Sequence, residues 1–259
     1  MESIHHHFSK IAHRYRDLRV TDVEPIIFIK EKLHRHSNIV AADIGCGAGR
    51  YDLKLLQSLG KRLFLYCIDV NGEMLKALRN FLLEHRIRNF QVIRAPSEKI
   101  PLKDNRLDCI FTFNAIHHFG ASHFFEQCSR LLKNTGHLFI YTRLRSQNRR
   151  NIWGKYFPLF DEKENRLYEL HELRASIEKA PGLEIEGVEY FKYARLSSLH
   201  VLLERARNHH YSTFYLYTKE EFDDCLNQFE QSIRKKFKDP HKIGWSDENV
   251  LLVVRKRTN

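Results

Sequence analysis

The chain has 259 residues, with 43 Lys and Arg against 32 Asp and Glu, and a formal net charge of +11 with neutral His. This length suits one large α/β domain or two small ones, so a sizeable core is available, and 42% hydrophobic residues with 18 Phe and 11 Tyr argue against wholesale disorder. The longest apolar run, Leu63 to Ile68, is far too short for a helix to span a bilayer, and the opening MESIHHHFSK lacks the apolar stretch of a secretory signal.

In chain order, Thr21-Asp22-Val23-Glu24-Pro25 reads as a capping box opening a helix over 21–35, with Val23, Ile26, Ile27, Ile29 and Leu33 along one face. A strand over 38–44 breaks at the glycines 45, 47 and 49, and a helix follows over 50–59. Next come a strand at 63–69, a helix at 72–85 and a strand at 90–95. A strand at 107–114, a helix at 121–133 and a strand at 137–142 complete the regular part. The turn Asn134-Thr135-Gly136 separates the last two. This alternation predicts a doubly wound, mainly parallel sheet. The later half is less regular. A helix is expected over 166–180, a strand over 183–191 and helices within 195–240, with a second capping box at Thr218-Lys219-Glu220-Glu221. The final strand is expected at 249–255. Five Cys at 46, 67, 109, 128 and 225 contain no CxxC pair. They read as buried free thiols in a cytoplasmic protein, with neither a disulfide framework nor a zinc site.

The most informative stretch is Asp43-Ile44-Gly45-Cys46-Gly47-Ala48-Gly49-Arg50. Its glycines let a strand turn sharply into a helix while backbone N–H groups approach a ligand. The dinucleotide fingerprint GxGxxG would need its third glycine at position 50, where Arg50 stands, so hydride chemistry on NAD is disfavoured. Asp69 ends the second strand, where a carboxylate can accept both ribose hydroxyls of an adenosine group. Three more stretches follow at fixed places: Ala95-Pro96-Ser97-Glu98, Asn114-Ala115-Ile116-His117-His118-Phe119, and Arg130-Leu131-Leu132-Lys133-Asn134-Thr135-Gly136.

Taken in this order, the motifs resemble those of the class I S-adenosylmethionine-dependent methyltransferases, in particular the group that includes the ubiquinone and menaquinone methyltransferases. The resemblance covers about residues 8–142 well and the rest loosely. It implies a Rossmann-like, mainly parallel seven-stranded sheet with helical lid additions, and S-adenosylmethionine as cofactor. By the same resemblance Asp43, Gly45, Cys46 and Gly47 wrap the methionine part, Asp69 clamps the ribose, and Val70 and Met74 flank the adenine. Ser97 and Glu98 stand where the family carries an Asp, a small residue and Glu, so Ser97 or nearby backbone substitutes for the usual contact with the adenine amine. Asn114 serves the methionine end. Upstream, Phe8 to Arg19 resembles the family's N-terminal lid, in which Tyr15 covers the cofactor and Arg19 meets its carboxylate. An amphipathic helix docked on the sheet edge is the alternative for that segment.

Methyl transfer from a sulfonium asks the protein mainly to align the acceptor and exclude water. Where a proton must leave the acceptor, His117 is the candidate base. His118, Arg143 and Tyr211 are the candidate acceptor-binding residues. Residues 143–157 hold five cations and no acid, interleaved with Trp153 and Tyr156. That pattern suits an anionic acceptor or a nucleic-acid backbone with base stacking, or else a solvated loop with Trp153 and Phe157 buried. The Tyr- and Phe-rich segment 205–217 suits either a pocket roof or a packed helical lid. The layout expected is a single methyltransferase domain over 1–259: a helical lid at 1–35, a cofactor core at 36–194, a helical insertion over the acceptor at 195–240 and a last strand at 241–259. The function expected is methylation of a small-molecule acceptor, anionic or aromatic. A tRNA-directed methyltransferase of the wobble-uridine type is the rival, and a non-catalytic cofactor-binding scaffold is the third reading.

Overall fold

The computed structural model describes residues 20–258. They fall into two compact units, one of residues up to 142 with 170–189 and the chain from 250 on, the other of 143–169 and 190–249. No helix among the described residues is long and apolar enough to cross a membrane.

The first unit is built on strands β1 (Ile39–Ile44), β2 (Leu63–Asp69), β3 (Phe90–Arg94), β4 (Leu107–Phe113) and β5 (Leu132–Thr142). With β6 (Leu183–Ser197) and β7 (Ile243–Lys256) they form a seven-stranded sheet in the order β3-β2-β1-β4-β5-β7-β6. The pairs β1–β2, β1–β4, β2–β3 and β4–β5 are parallel, while β5 and β7 are antiparallel. The strand order reverses at β1, beside β4, and the glycine loop leaves the sheet at that point. Open α/β sheets bind their ligands at such places.

The helices α1 (Glu24–Lys32), α2 (Arg50–Leu59), α3 (Gly72–Glu84) and α4 (Ala121–Leu131) alternate with these strands. The doubly wound, mainly parallel sheet expected from the sequence is therefore present, and α2 and β2 keep the boundaries read from glycine punctuation and apolar runs. The first helix differs. Val23 is its N-cap in helical conformation and no side chain caps it. Asp22, expected within a capping box, instead accepts a hydrogen bond from the Tyr141 hydroxyl at 3.0 Å. Ile26, Ile29 and Leu33 are buried, whereas Val23 and Ile27 face solvent, so the apolar stripe is narrower than expected. The turn at Asn134-Thr135-Gly136 lies inside β5. Leu107 of β4 faces Leu132 and Cys109 faces His137, so residues 133–136 bulge out, with Thr135 at φ 65°.

The second unit contains α5 (Arg145–Arg150), α6 (Ile152–Tyr156), α7 (Phe160–Lys163), α9 (Leu199–Arg207) and α10 (Lys219–Lys236); α8 (Leu170–Glu178) belongs to the first. Strand β6 runs six residues past its expected end, and β7 starts six before its expected start. The unit closes on an aromatic core. Trp153, only 3% exposed, stacks on Phe229 at 5.0 Å and meets Phe214 edge-on at 5.4 Å. Of the readings left open for 153–157 and 205–217, burial holds for Trp153, Phe157, Phe214 and Tyr217. The second capping box is formed: the Glu221 N–H donates to Thr218 Oγ1 and the Thr218 N–H to Glu221 Oε2. All five cysteines are buried free thiols.

Candidate functional site

The loop after β1 is tied to β2 through its backbone. The N–H groups of Gly45 and Cys46 both donate to the Ile68 carbonyl, at 2.8 and 3.2 Å. Gly45 sits at φ 76°, and a Cβ there would fall 2.6 Å from the Ala115 Cβ and 2.8 Å from the Phe119 ring. Glycine at 45 therefore lets the loop pack against the segment that follows β4. Gly47, at φ 55°, has open space where a Cβ would stand. Such an open, left-handed backbone is what a closely approaching ligand requires.

Asp69 closes this loop. Its Oδ2 accepts from the Gly47 N–H at 2.9 Å and its Oδ1 from the Asn71 N–H at 2.8 Å. Asn71 in turn caps α3, its Oδ1 accepting from the N–H groups of Glu73 and Met74. A carboxylate oxygen has more than one lone pair, so accepting from a backbone N–H does not by itself bar a hydroxyl. Val70 is exposed beside it, whereas Met74 is buried. On the next strand end, Ser97 is buried and donates to Glu98 Oε1 at 2.8 Å, which also accepts from the Gly120 N–H at 3.2 Å. Burial alone would raise the Glu98 carboxyl, but the hydrogen bonds from Ser97, its own backbone and Gly120 hold it below the usual value.

Asn114 adopts φ 54° and donates its N–H to the Tyr141 carbonyl at 2.7 Å. This left-handed residue turns the chain at the end of β4 into the short 3₁₀ turn Ile116–His118. There His117 is half-buried and His118 exposed, with ring centroids 4.1 Å apart. Asp43, Gly45, Cys46, Gly47, Asp69, Asn114 and His117 thus come from three adjacent strand ends, β1, β2 and β4, of the first unit. Tyr15 and Arg19 lie outside the described residues.

Arg143 and Tyr211 meet within the second unit. Arg143 Nη1 donates to the Tyr211 hydroxyl at 3.2 Å, and Arg143 Nη2 pairs with Asp247 at 3.3 Å. Other cations of the basic segment are also matched: Arg149 pairs with Asp161 at 2.6 Å and Arg150 with Glu248. Distant acids that sequence spacing did not pair with this run thus meet part of its charge.

Sequence reasoning passed over one group. Asp52, in the first turn of α2, is fully buried beside Asp43 of β1 and Cys67 of β2. Its signal was an acid in helical register with Leu55, Leu56 and Leu59, on the face that packs inward. Among the described residues, no hydrogen bond reaches Asp43 Oδ1 or either Asp52 carboxylate oxygen. Burial first, then the charge of Asp52 and its contact, hold the Asp43 carboxyl well above the usual range. Burial likewise raises Asp52 to about 7, against the opposing pull of the Cys67 thiol. An open glycine backbone, an acid at the end of β2 and a buried acid with an unused acceptor together fit a nucleoside cofactor with a cationic amino-acid arm.

A methyltransferase domain family matches residues 42–140. The chain is 31% identical over 102 residues to a ubiquinone/menaquinone biosynthesis C-methyltransferase of Pseudomonas putida, covering 38% of this chain and 39% of that protein. It is 24% identical over 157 residues to the Mus musculus tRNA (carboxymethyluridine(34)-5-O)-methyltransferase ALKBH8, covering 59% of this chain and 22% of that one. The chain spans less than half the length of the curated relatives it matches. Its fold is similar to the YcgJ protein of Bacillus subtilis, with a TM-score of 0.67 at 15% identity over 92% of this chain and 100% of that one. The family match spans the loop, the β2 acid and the turn after β4, on the strand order described above. Residues 42–140 thus carry a match to a methyltransferase domain, on a fold similar to those of solved methyltransferases.

Proposed function

We propose that the chain methylates a small-molecule acceptor, with Asp43, Gly45, Cys46, Gly47 and Asn114 toward the methionine end of the cofactor and Asp69 toward its ribose. Val70, Met74, Ser97 and Glu98 line the adenine side in this reading. Bound S-adenosylmethionine supplies a methyl group already activated by the sulfonium charge. The protein's own task is then alignment and exclusion of water. The Asp69 bond to the Gly47 N–H supports this, because it holds the loop in one conformation before any ligand arrives. His117 stands at the mouth of β4 to take a proton where the acceptor is a phenol, enol or amine. His118, Arg143 and Tyr211 are proposed to contact the acceptor. Five buried free thiols support a reducing, cytoplasmic setting.

One observation carries the choice of a small acceptor: within 143–155, Arg143, Arg149 and Arg150 are matched by acids and Trp153 is buried. A nucleic-acid face needs free cations and an accessible ring. The similarity to a tRNA-directed enzyme and the charge of +11 favour the second reading, a tRNA methyltransferase. Incubating the protein with cell extract and methyl-labelled S-adenosylmethionine, then separating RNA from small molecules, decides between them. Label in the small-molecule fraction is expected. Label in RNA overturns the reading in favour of tRNA, and cofactor binding with no label transfer favours a scaffold.

A further inference from the structure

A single acid on the buried face of a helix is costly unless its charge is neutralised or matched. Asp52 is 0% exposed, and among the described residues the titratable neighbours it meets are Asp43, Cys67 and Asp69, none of them a cation. It faces Asp43, 1% exposed, and the thiol of Cys67, which is the register partner of Asp43 across the β1–β2 pair. Asp69 at the end of β2 adds a further negative charge, and Cys46 of the glycine loop is a buried thiol held strongly protonated by burial first and then by these same acids. On the other side of β1, Phe111 of β4 is the register partner of Asp43. Two carboxyl groups in so dry a space do not both ionise; they titrate as a pair and retain a proton between them. Among the described residues, three carboxylate oxygens lack a hydrogen bond on the strand and helix that flank the open glycine loop, and they are otherwise unexplained.

We propose that Asp43 and Asp52 form a proton-sharing carboxyl pair beneath the glycine loop, in which Asp52 is a positioning residue that makes cofactor binding release a proton. This rests on the reading that the loop receives the methionine end of S-adenosylmethionine. An arriving ammonium favours the ionised form of the pair. A carboxyl O–H bond then breaks, its proton passes to solvent, and the electron pair remains on the carboxylate facing the cation. Below neutral pH the pair holds its proton more tightly, so binding weakens as pH falls, by at most about tenfold per pH unit for one proton released. With Asp52 as a neutral amide the store is reduced to Asp43, still raised by its own burial but freed of the Asp52 charge, so the fall in affinity moves to lower pH.

Titration calorimetry of the full chain with S-adenosylhomocysteine, which retains the ammonium and reacts no further, tests this. The runs use pH 6, 7 and 8, each in two buffers of different ionisation enthalpy. The wild type should release a substantial fraction of a proton, bind more weakly at pH 6 than at pH 8, and lose a protonated-carboxyl infrared band on binding. Asp52→Asn should lower the proton release at pH 7 and move the fall in affinity to lower pH. Wild-type binding with no proton release, or full release retained in Asp52→Asn, overturns the proposal. The wild-type proton count and infrared band decide the matter without the variant if it does not fold. Absence of wild-type binding at every pH instead overturns the cofactor reading, and the pair proposal with it.

Discussion

Asp69 grips the glycine loop through Gly47: the Gly47 N–H donates to Asp69 Oδ2 at 2.9 Å, across 22 residues of sequence. The other oxygen accepts from the Asn71 N–H, so one carboxylate joins the loop after β1 to the cap of α3. The acid expected to clamp a ribose therefore also preorganises the loop beside it. Both jobs use acceptor capacity of the same two oxygens, and neither excludes the other.

Replacing Asp69 with Ala should accordingly weaken binding of S-adenosylhomocysteine through both roles. Hydrogen bonds to a charged group are worth about 1.5–3 kcal/mol each, so a rise in Kd of roughly ten- to a hundredfold or more is expected. Titration calorimetry reads this directly. An unchanged Kd would remove Asp69 from the site.

Gly45 and Gly47 should respond differently to Ala. At 45 the new Cβ would strike Ala115 and Phe119 and stand at φ 76°, so strain and overpacking add, at about 1–3 kcal/mol each. At 47 the backbone is left-handed but the space is open, so strain is the main cost to the folded chain and occlusion of the ligand is the larger effect. Thermal unfolding should fall further for Gly45→Ala, while S-adenosylhomocysteine affinity should fall markedly for Gly47→Ala at a smaller loss of Tm. The opposite ranking of the two Tm values would contradict the packing of the loop.

The parts of this fold that could be read in advance are those set by local punctuation. Gly45 at φ 76° ends β1 and Gly49 at φ 83° starts α2, and the apolar run Leu63–Ile68 can hardly be anything but a buried strand. The missed features depend on partners far along the chain. Asp22 looks like a cap but is engaged by the hydroxyl of Tyr141, 119 residues away. The extra lengths of β6 and β7 carry Lys192, Arg195, Asp247 and Glu248, which lie outside the strands expected at 183–191 and 249–255, and there Arg195 pairs with Asp247 at 3.2 Å. Of the candidate site, Asp43, Gly45, Gly47, Asp69 and Asn114 were legible because glycines and strand ends mark them. Asp52 was hidden, since its meaning comes from the carboxyl it faces and not from its neighbours in sequence.

Trp153 separates a stabilising role from a nucleic-acid one. Stacked on Phe229 in the second unit's core, it should cost about 3–5 kcal/mol when cut to Ala. Arg149→Ala, at an exposed ion pair with Asp161, should cost no more than about 1 kcal/mol. Urea unfolding of the two variants checks both values. A Trp153→Ala chain of undiminished stability that lost affinity for RNA would reverse the assignment.

The buried acid also makes stability depend on pH in a direction unusual for a carboxylate. Asp52 is raised from 3.8 to about 7 in the folded chain, mainly by burial, so the folded state holds a proton that the unfolded chain gives up near pH 4. This contribution is fully present below about pH 4 and is lost as pH rises through about 7, at a slope of at most about 1.4 kcal/mol per pH unit. Asp43, raised by the same burial, acts in the same sense at higher pH. Asp52→Asn keeps the shape and removes the proton, so its stability relative to the wild type should improve from pH 5 to about pH 7 and level off above it. Urea midpoints at pH 5, 6, 7 and 8 measure that difference, which cancels the pH dependence of the groups not in contact with Asp52. A difference that stays constant over the range would mean that Asp52 is ionised in the folded chain, and the carboxyl pair would then have to be matched by a cation.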